Sequence, residues 1–365
     1  MHLRFTEYEW QHLMFKPFPL FYWDIFTTYE PFRFTNTIPL LNFMHNVGIV
    51  YLIYPKSLLS CYTSIAFVRE YGNVQYPIEL WYHSDETSPE LLSIFEDENI
   101  VLQDLKSFNL TVDSSIVSNY HFKSVAILNS NFKKVIYIDA DALIVSDLNV
   151  VLNSDNLSVI AARDYWYTPP SNPIYKLLNK IGATTNWDME AGFLVVDRSD
   201  EIIIKSLQMA MEMNLNHNVF YNFIHGDKDT FKYAFEHYNV PISWLDSPGV
   251  ISSNFYSIKG NSMAHFYDSK LFIIHMTLLK DLKVIPQFPF SFEWQEPIHE
   301  TSGGNYFNLG TIGHFIHPKC VMPVEPKINI QFWKYRKIAA VKLQTLGYDI
   351  AETTGDKHLK FKKNS

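Results

Sequence analysis

Short apolar, β-branched runs alternate with helical patterns through the first half of this chain, and this alternation restricts the fold more than any other feature. Strands are predicted at 47–54, 77–82, 100–102 and 134–138, the last being the clearest buried strand. Helices are predicted at 58–72, from 88 onward and at 116–129, with Pro89 in a first helical turn and Gly72 as a stop. Strand–helix alternation of this kind predicts an α/β, Rossmann-like sheet, mostly parallel and flanked by helices.

The second half is less regular. Strands are predicted at 157–161, 192–196 and 272–275, and helices at about 200–213, 227–238 and 333–346. We therefore divide the chain into an aromatic-rich N-terminal extension (1–46), a catalytic body (47–285) and a C-terminal extension (286–365) that ends in a basic tail.

Composition narrows the class of protein. The 365 residues are 47% hydrophobic and 19% charged, which excludes intrinsic disorder and allows a large core. A net charge of −8 argues against a nucleic-acid partner. The aromatic content of 16% fits a large core, a membrane-interface surface or a platform for sugars. The uncharged run 34–55 contains Pro39 and several polar residues, so no transmembrane segment is expected in the chain.

The sharpest chemical motif is Asp139-Ala140-Asp141, directly after the clearest strand. In extended backbone, residues two apart project to the same side, so both carboxylates are expected to face one point. The carboxyl ends of strands are also where open α/β sheets bind ligands. Since adjacent carboxylates repel, a divalent cation with oxygen ligands is the expected occupant, and capping of the next turn is the alternative.

A series of segments in this order resembles a known family, the GT-A glycosyltransferases, and within it the fungal-type α-1,2/α-1,3-mannosyltransferases that extend mannan. The segments cover roughly 47–285 and are Gly48–Val50, Pro77–Leu80, Phe122–Leu128, Val135–Asp141, Glu190–Val196 and Gly226–Phe231. Members usually carry Glu-Ser-Gly where this chain has Glu190-Ala191-Gly192, and the familiar Golgi members carry an N-terminal membrane anchor that is not recognisable here.

The resemblance implies a GT-A fold and a metal-dependent, retaining transfer of mannose from GDP-mannose to a glycan or glycoprotein acceptor, with Mn²⁺ or Mg²⁺. Two alternatives stay open: a UDP-sugar-dependent transferase of glucose or galactose on the same fold, and a catalytically silent carbohydrate-binding relative. The chain as it stands is expected in the cytoplasm, and in the Golgi lumen if a membrane anchor is missing from it.

The metal requires ligands beyond Asp139 and Asp141. The family's late histidine falls on His275, at the end of an apolar run, with His265 as the competitor and a satisfied core histidine as the alternative. Four residues are expected to contact the donor: Tyr51, Lys123, Asp139 and Lys280. Lys123 lies among apolar neighbours and is expected to reach the carboxylates, although a snorkelling surface lysine fits equally well. Lys280 is expected to meet the diphosphate, and the alternative is a solvated surface lysine.

The remaining candidates face the sugar. Glu190 is expected to stabilise an oxocarbenium-like centre or hold acceptor hydroxyls, and Gly192 to allow a ligand close to the backbone. Asp227 and Asp229 open a helix, so capping competes with a catalytic role; we favour capping for Asp227 and the cleft for Asp229. Asp164 and Trp166 are expected to bind substrate, with core packing as the alternative for the tryptophan.

Overall fold

The computed structural model describes residues 45–96, 99–112, 117–153, 158–164, 168, 172–178, 188–224, 226–246, 249–253, 262–276, 292–295, 321–323, 326–351 and 360–363. Its strands are β1 (His45–Leu52), β2 (Ile78–Tyr82), β3 (Ile100–Asp104), β4 (Phe132–Ile138), β5 (Ala142–Ile144), β6 (Val159–Arg163), β7 (Met189–Asp197), β8 (Ser243–Trp244), β9 (Gly249–Ser253), β10 (Ser262–Tyr267), β11 (Lys270–His275), β12 (Phe292–Gln295), β13 (Val321–Pro323), β14 (Tyr348–Ala351) and β15 (Lys360–Lys363). Its α-helices are α1 (Leu58–Glu70), α2 (Pro89–Leu92), α3 (Lys123–Asn129), α4 (Asn149–Leu152), α5 (Pro173–Leu177), α6 (Glu201–Leu215), α7 (His217–Phe220), α8 (Asp227–His237) and α9 (Pro326–Thr345).

A mixed sheet forms the centre of the described fold. Its strands follow the order β3-β2-β1-β4-β7-β6-β8, and four of the six neighbouring pairs are parallel. Strand β7 runs antiparallel to both of its neighbours, β4 and β6. The predicted α/β class with a mostly parallel, Rossmann-like sheet is confirmed.

The apolar runs that predicted the central strands are buried on both faces. All five residues of β2 and the last four of β4 are buried, as expected where helices cover both sides of a sheet. Helix α8 packs on β7 and α6, α3 packs on α6, and α9 packs on α1. The fully buried Arg336 of α9 donates to the Ser60 hydroxyl of α1 (3.1 Å), which satisfies one of the hydrogen-bond donors of its guanidinium group.

A second sheet begins where β4 ends. Among the described strands its order is β13-β12-β9-β10-β11-β5, with all neighbours antiparallel. Strand β5 follows Asp141 directly and pairs Ala142 with His275 at the end of β11. The Met276 amide then donates to the Asp141 carbonyl (2.9 Å). This register brings two segments more than 130 residues apart in sequence to the carboxyl end of β4.

Some predicted boundaries differ from the structure. The helix predicted at 116–129 is a 3₁₀ segment (Val117–Phe122) followed by α3, and the helix predicted at 333–346 begins earlier, at Pro326. The first 44 residues lie outside the described part of the chain, and the boundaries at 46 and 285 stay predictions. Of the helices that the structure describes, none combines the length and apolarity needed to cross a bilayer.

Candidate active site

Two aspartates leave β4 in a tight turn. The Ala142 amide donates to the Asp139 carbonyl (2.9 Å), so the backbone here is not extended as the sequence argument assumed. The carboxylates of Asp139 and Asp141 nevertheless approach each other. Asp139 is fixed at both ends: its amide donates to the Gly192 carbonyl (2.9 Å), and the Tyr137 hydroxyl donates to its Oδ1 (2.8 Å).

His275 faces these carboxylates from the second sheet. Its Nε2 lies 3.2 Å from Asp141 Oδ1 and 3.7 Å from Asp139 Oδ2, and its Nδ1 lies 3.3 Å from Glu190 Oε1. Burial alone lowers the pKa of an imidazole, but here the Glu190 and Asp141 carboxylates outweigh burial and raise the pKa of His275 to about 10. Burial alone would raise the pKa of Glu190, but the contact with His275 outweighs burial and lowers this pKa to about 2.

The donor set fits a divalent cation. One ligand atom from each of Asp139, Asp141 and His275 lies within 4.8 Å of the others, and all three side chains are buried or nearly so. Burial raises the pKa of the Asp139 carboxyl, and the negative charge of Asp141 raises it further. Lys123 has the opposite effect but does not outweigh them, as expected where two carboxylates lie close together. Two carboxylates and one neutral imidazole suit Mn²⁺ or Mg²⁺, which accept oxygen-rich ligand sets.

Lys123 reaches the carboxylates, as one of the two sequence interpretations required. It opens α3, is 4% exposed, and its Nζ lies 3.1 Å from Asp139 Oδ1 and 2.9 Å from Asp227 Oδ2. It also donates to the Ala191 carbonyl at 3.3 Å. Burial lowers the pKa of this ammonium, but Asp139 and Asp227 outweigh burial and raise it. Its observed contacts join Asp139 to α8.

Asp227 and Asp229 lie in the first turn of α8. The N-cap is Gly226, whose φ of +122° favours glycine, and no side-chain capping bond is formed there. The prediction that Asp227 caps the helix is therefore wrong, because its carboxylate instead pairs with Lys123. Asp229 is fully buried, and the contribution of both residues to catalysis stays a prediction.

Glycine at 192 leaves space for a side chain of the protein itself. A Cβ built there would lie 2.6 Å from His275 Cε1 and Nδ1, and 3.2 Å from Glu190 Oε1. The sequence prediction was that Gly192 admits a ligand close to the backbone. In the structure, the imidazole of His275 takes this space.

The other predicted site residues lie in different surroundings. Tyr51 is fully buried, and its hydroxyl hydrogen bonds with that of Ser64 in α1 (3.0 Å), so the structure places it in the core instead of at the donor. Asp164 is buried and forms an ion pair with Lys228, in the first turn of α8. Trp166 and Lys280 lie outside the described residues.

Comparison with known families decides the class. The family model described as "Mannosyltransferase putative" matches residues 46–159 and 167–267, more than half of the chain. The chain belongs to this mannosyltransferase family. The predicted resemblance is thereby confirmed, and the mixed sheet with its acidic turn after β4 is the predicted GT-A-type architecture. Among curated proteins, none matches this member of the family significantly by sequence.

Several solved glycosyltransferases are similar in structure. The bifunctional glycosyltransferase WbbM is 18% identical with a TM-score of 0.40, and the match covers 57% of this chain and 40% of WbbM. Mouse xyloside xylosyltransferase 1 is 10% identical (TM-score 0.38; 56% and 86% covered), and the mannosyltransferase Ktr4p from S. cerevisiae is 16% identical (TM-score 0.38; 57% and 70% covered). This family member thus spans less than half of the length of WbbM.

One feature of the site, Asn214, was not predicted from the sequence. Asn214, fully buried in α6, donates to the hydroxyls of Ser124 (3.1 Å) and Thr230 (2.9 Å) and accepts from Tyr221 (2.7 Å). It thereby links the residue after Lys123 to the first turn of α8. A lone asparagine in an apolar helix pattern was the only available signal.

His265, weighed against His275 as the metal ligand, lies on β10 and is 1% exposed. Neither ring nitrogen has a hydrogen-bond partner within the described residues. Burial lowers the pKa of His265 to about 4, against the attraction of Glu190. The group of potential metal ligands found in the described part of the chain contains His275 and not His265.

Proposed function

We propose that this chain is a metal-dependent, retaining mannosyltransferase that moves mannose from GDP-mannose to a glycan or glycoprotein acceptor. One observation carries the proposal: a chain of this family places Asp139, Asp141 and His275 around a single point at the carboxyl end of β4. That edge is where sheets of this type bind ligands. The sequence resemblance supports the choice of donor and the retained configuration.

A bound Mn²⁺ or Mg²⁺ would supply Lewis-acid stabilisation of the charge on the leaving diphosphate. The residues that would hold the ion are Asp139, Asp141 and His275, which are already within 4.8 Å of one another. Lys123 balances Asp139 and Asp227, so that the carboxylates are not left mutually repelling in a buried site. Asp141, His275 and Lys123 are buried, which shields them from water and strengthens their electrostatic effect on a bound donor.

The part played by α8 follows from its placement. Asp229 is buried in the same helical turn that carries Asp227, which pairs with Lys123 beside Asp139. We assign Asp229 to the transferred sugar or the acceptor hydroxyl, with Asp164 and Trp166 on the acceptor side. Lys280 is assigned to the diphosphate, in keeping with the resemblance.

The test is a donor screen with product detection by mass spectrometry. GDP-mannose, UDP-glucose and UDP-galactose are offered with mannose oligosaccharides, in Mn²⁺ and in EDTA. Mannosyl transfer that requires Mn²⁺ and is lost in Asp141→Asn supports the proposal. Asp268→Asn, an equal charge change in an exposed turn, is the matched control and is expected to retain activity.

Three outcomes would contradict the proposal in different ways. Transfer from a UDP-sugar alone would replace the donor. Undiminished transfer by Asp141→Asn would remove the metal assignment. Glycan binding without affinity for any nucleotide sugar would favour the carbohydrate-binding alternative.

A further inference from the structure

Glu190 makes its contacts within the protein. Its side chain is 7% exposed, and Oε1 accepts the Gly192 amide at 2.9 Å. The same oxygen lies 3.3 Å from Nδ1 of His275. Within the described residues, the Glu190 carboxylate is therefore directed toward His275, the histidine of the proposed metal-ligand group.

With Nδ1 beside Glu190, the other ring nitrogen of His275 is the one directed toward Asp139 and Asp141. When an ion takes the lone pair of Nε2, the remaining ring proton is on Nδ1, which lies at ion-pair distance (3.3 Å) from Glu190 Oε1. In this structure Nε2 is the atom that faces Asp141 and Asp139, at 3.2 and 3.7 Å. Ligating histidines are commonly oriented by such a carboxylate partner, which also raises their basicity as ligands.

The next two residues of β7 serve the same ligand group. Gly192 lacks the Cβ that would lie 2.6 Å from the imidazole ring, and its carbonyl accepts the Asp139 amide at 2.9 Å. The Ala191 carbonyl accepts from Lys123, which pairs with Asp139. All three residues of Glu190-Ala191-Gly192 thus support Asp139 or His275.

We propose that Glu190 is a positioning residue for His275, holding the ring so that Nε2 points to the ion, and that it does not act on the sugar. This replaces the role that the sequence predicted for Glu190, which was to stabilise an oxocarbenium-like centre or hold acceptor hydroxyls. The inference rests on the metal dependence in the proposed function. It assigns Glu190-Ala191-Gly192 as the support of the metal ligands.

Two substitutions separate the roles. In Glu190→Gln the amide oxygen can still accept from the Gly192 amide and offers an acceptor beside His275 Nδ1, but the side chain can no longer attack or stabilise a cationic sugar. In Glu190→Ala neither function remains. Mn²⁺ affinity is measured by electron paramagnetic resonance without donor, alongside turnover of GDP-mannose. The ¹⁵N chemical shifts of His275 in the protein loaded with diamagnetic Mg²⁺ report which ring nitrogen keeps its proton.

The expected result is graded. Glu190→Ala weakens Mn²⁺ binding about 10–100-fold. Glu190→Gln keeps the Nδ1–H tautomer, an affinity within about threefold of wild type and most of the turnover, because an amide oxygen remains an acceptor. Wild-type Mn²⁺ affinity in Glu190→Ala would overturn the inference. So would Glu190→Gln with wild-type affinity but abolished turnover, which would return Glu190 to the sugar. A wild-type chain that binds no Mn²⁺ would overturn the metal dependence itself, a separately recognisable failure.

Discussion

Replacing Gly192 by alanine adds a single methyl group beside His275, one of the proposed metal ligands. The new Cβ would lie 2.6 Å from Cε1 and Nδ1 of His275, whereas ordinary contacts begin near 3.4 Å. The imidazole must therefore retreat by about 0.8 Å, or the strand must move, because real Cβ atoms essentially never approach so closely. His275 is buried at the end of β11, so the ring has little space for the shift.

The size of the effect follows from the distances at Nε2. This atom lies 3.2 Å from Asp141 Oδ1, and a retreat of about 0.8 Å away from β7 changes its distance and direction to the ion. Displacements of about 1 Å in a preorganised site cost on the order of 100-fold. We expect Gly192→Ala to weaken Mn²⁺ binding by about 10–100-fold, comparable to the loss of an orienting partner of a metal ligand. Turnover at saturating Mn²⁺ should be less affected than turnover at limiting Mn²⁺.

The assay is a Mn²⁺ titration with turnover and binding measured on the same samples. Gly48→Ala is the matched control, since its Cβ would lie 2.3 Å from the Phe132 ring in the central sheet, where none of the proposed ligands is involved. This control is expected to lower the free energy of unfolding and leave the Mn²⁺ affinity of the folded protein unchanged. Equal Mn²⁺ affinities for Gly192→Ala and wild type would refute the reasoning, and so would equal losses of affinity in both variants.

Four further outcomes are expected. Without metal, the pKa of His275 is about 10, above its ordinary 6.5. The contribution of the protonated His275 to the free energy of unfolding is therefore complete below pH 6.5 and is lost as the pH rises toward 10. Urea unfolding at pH 6, 8 and 10 should show this loss in wild type and not in His275→Gln, and a parallel decline in both would contradict it. The proton on His275 also competes with the ion, so Mn²⁺ affinity should rise by up to about tenfold per pH unit below that pKa, and an affinity independent of pH would exclude His275 as a ligand. Lys123→Met leaves Asp139 and Asp227 without their common cation and should lower the free energy of unfolding by about 3–5 kcal/mol. Part of this free energy should be recovered in the double variant with Asp227→Asn, whereas additive losses would argue against the pairing. Asn214→Leu removes the partner of the buried Ser124 and Thr230 hydroxyls and of the half-buried Tyr221 hydroxyl. It should cost about 2–3 kcal/mol by the same measurement, whereas a neutral result would mean that those hydroxyls find other partners.

The central sheet could be predicted because its signal is local. Each of β1, β2 and β4 is a short apolar run that the chain must bury, and the helical patterns between them require crossovers that make these strands parallel. The antiparallel placement of β7 has no such signal, because the sequence of Met189–Asp197 predicts a buried strand whether it pairs parallel or antiparallel to β4. Sequence periodicity identifies a buried strand but does not assign its neighbours.

The candidate site was partly accessible for the same reason. Asp139 and Asp141 lie next to a strong strand, so their position at the edge of the sheet followed from the sequence alone. Asp227 was misinterpreted because a carboxylate in a first helical turn fits a cap well, and Lys123, its actual partner, is 104 positions earlier in the chain. Tyr51 was misplaced because a tyrosine near the end of a strand does not reveal whether its hydroxyl points to a cleft or to Ser64.

Glycine 192 shows where local reasoning stops. The absence of a side chain correctly indicated that something must approach this backbone, and a ligand was the natural candidate. The group that approaches is His275, brought there by the pairing of β11 with β5, which starts directly after Asp141. The same short turn therefore ends β4 with two carboxylates and starts β5, whose pairing with β11 brings the imidazole to them. A substitution that shifts the β5–β11 register by one residue would turn His275 to the opposite face of its strand and remove it from the ligand group, without altering any residue of the acidic motif.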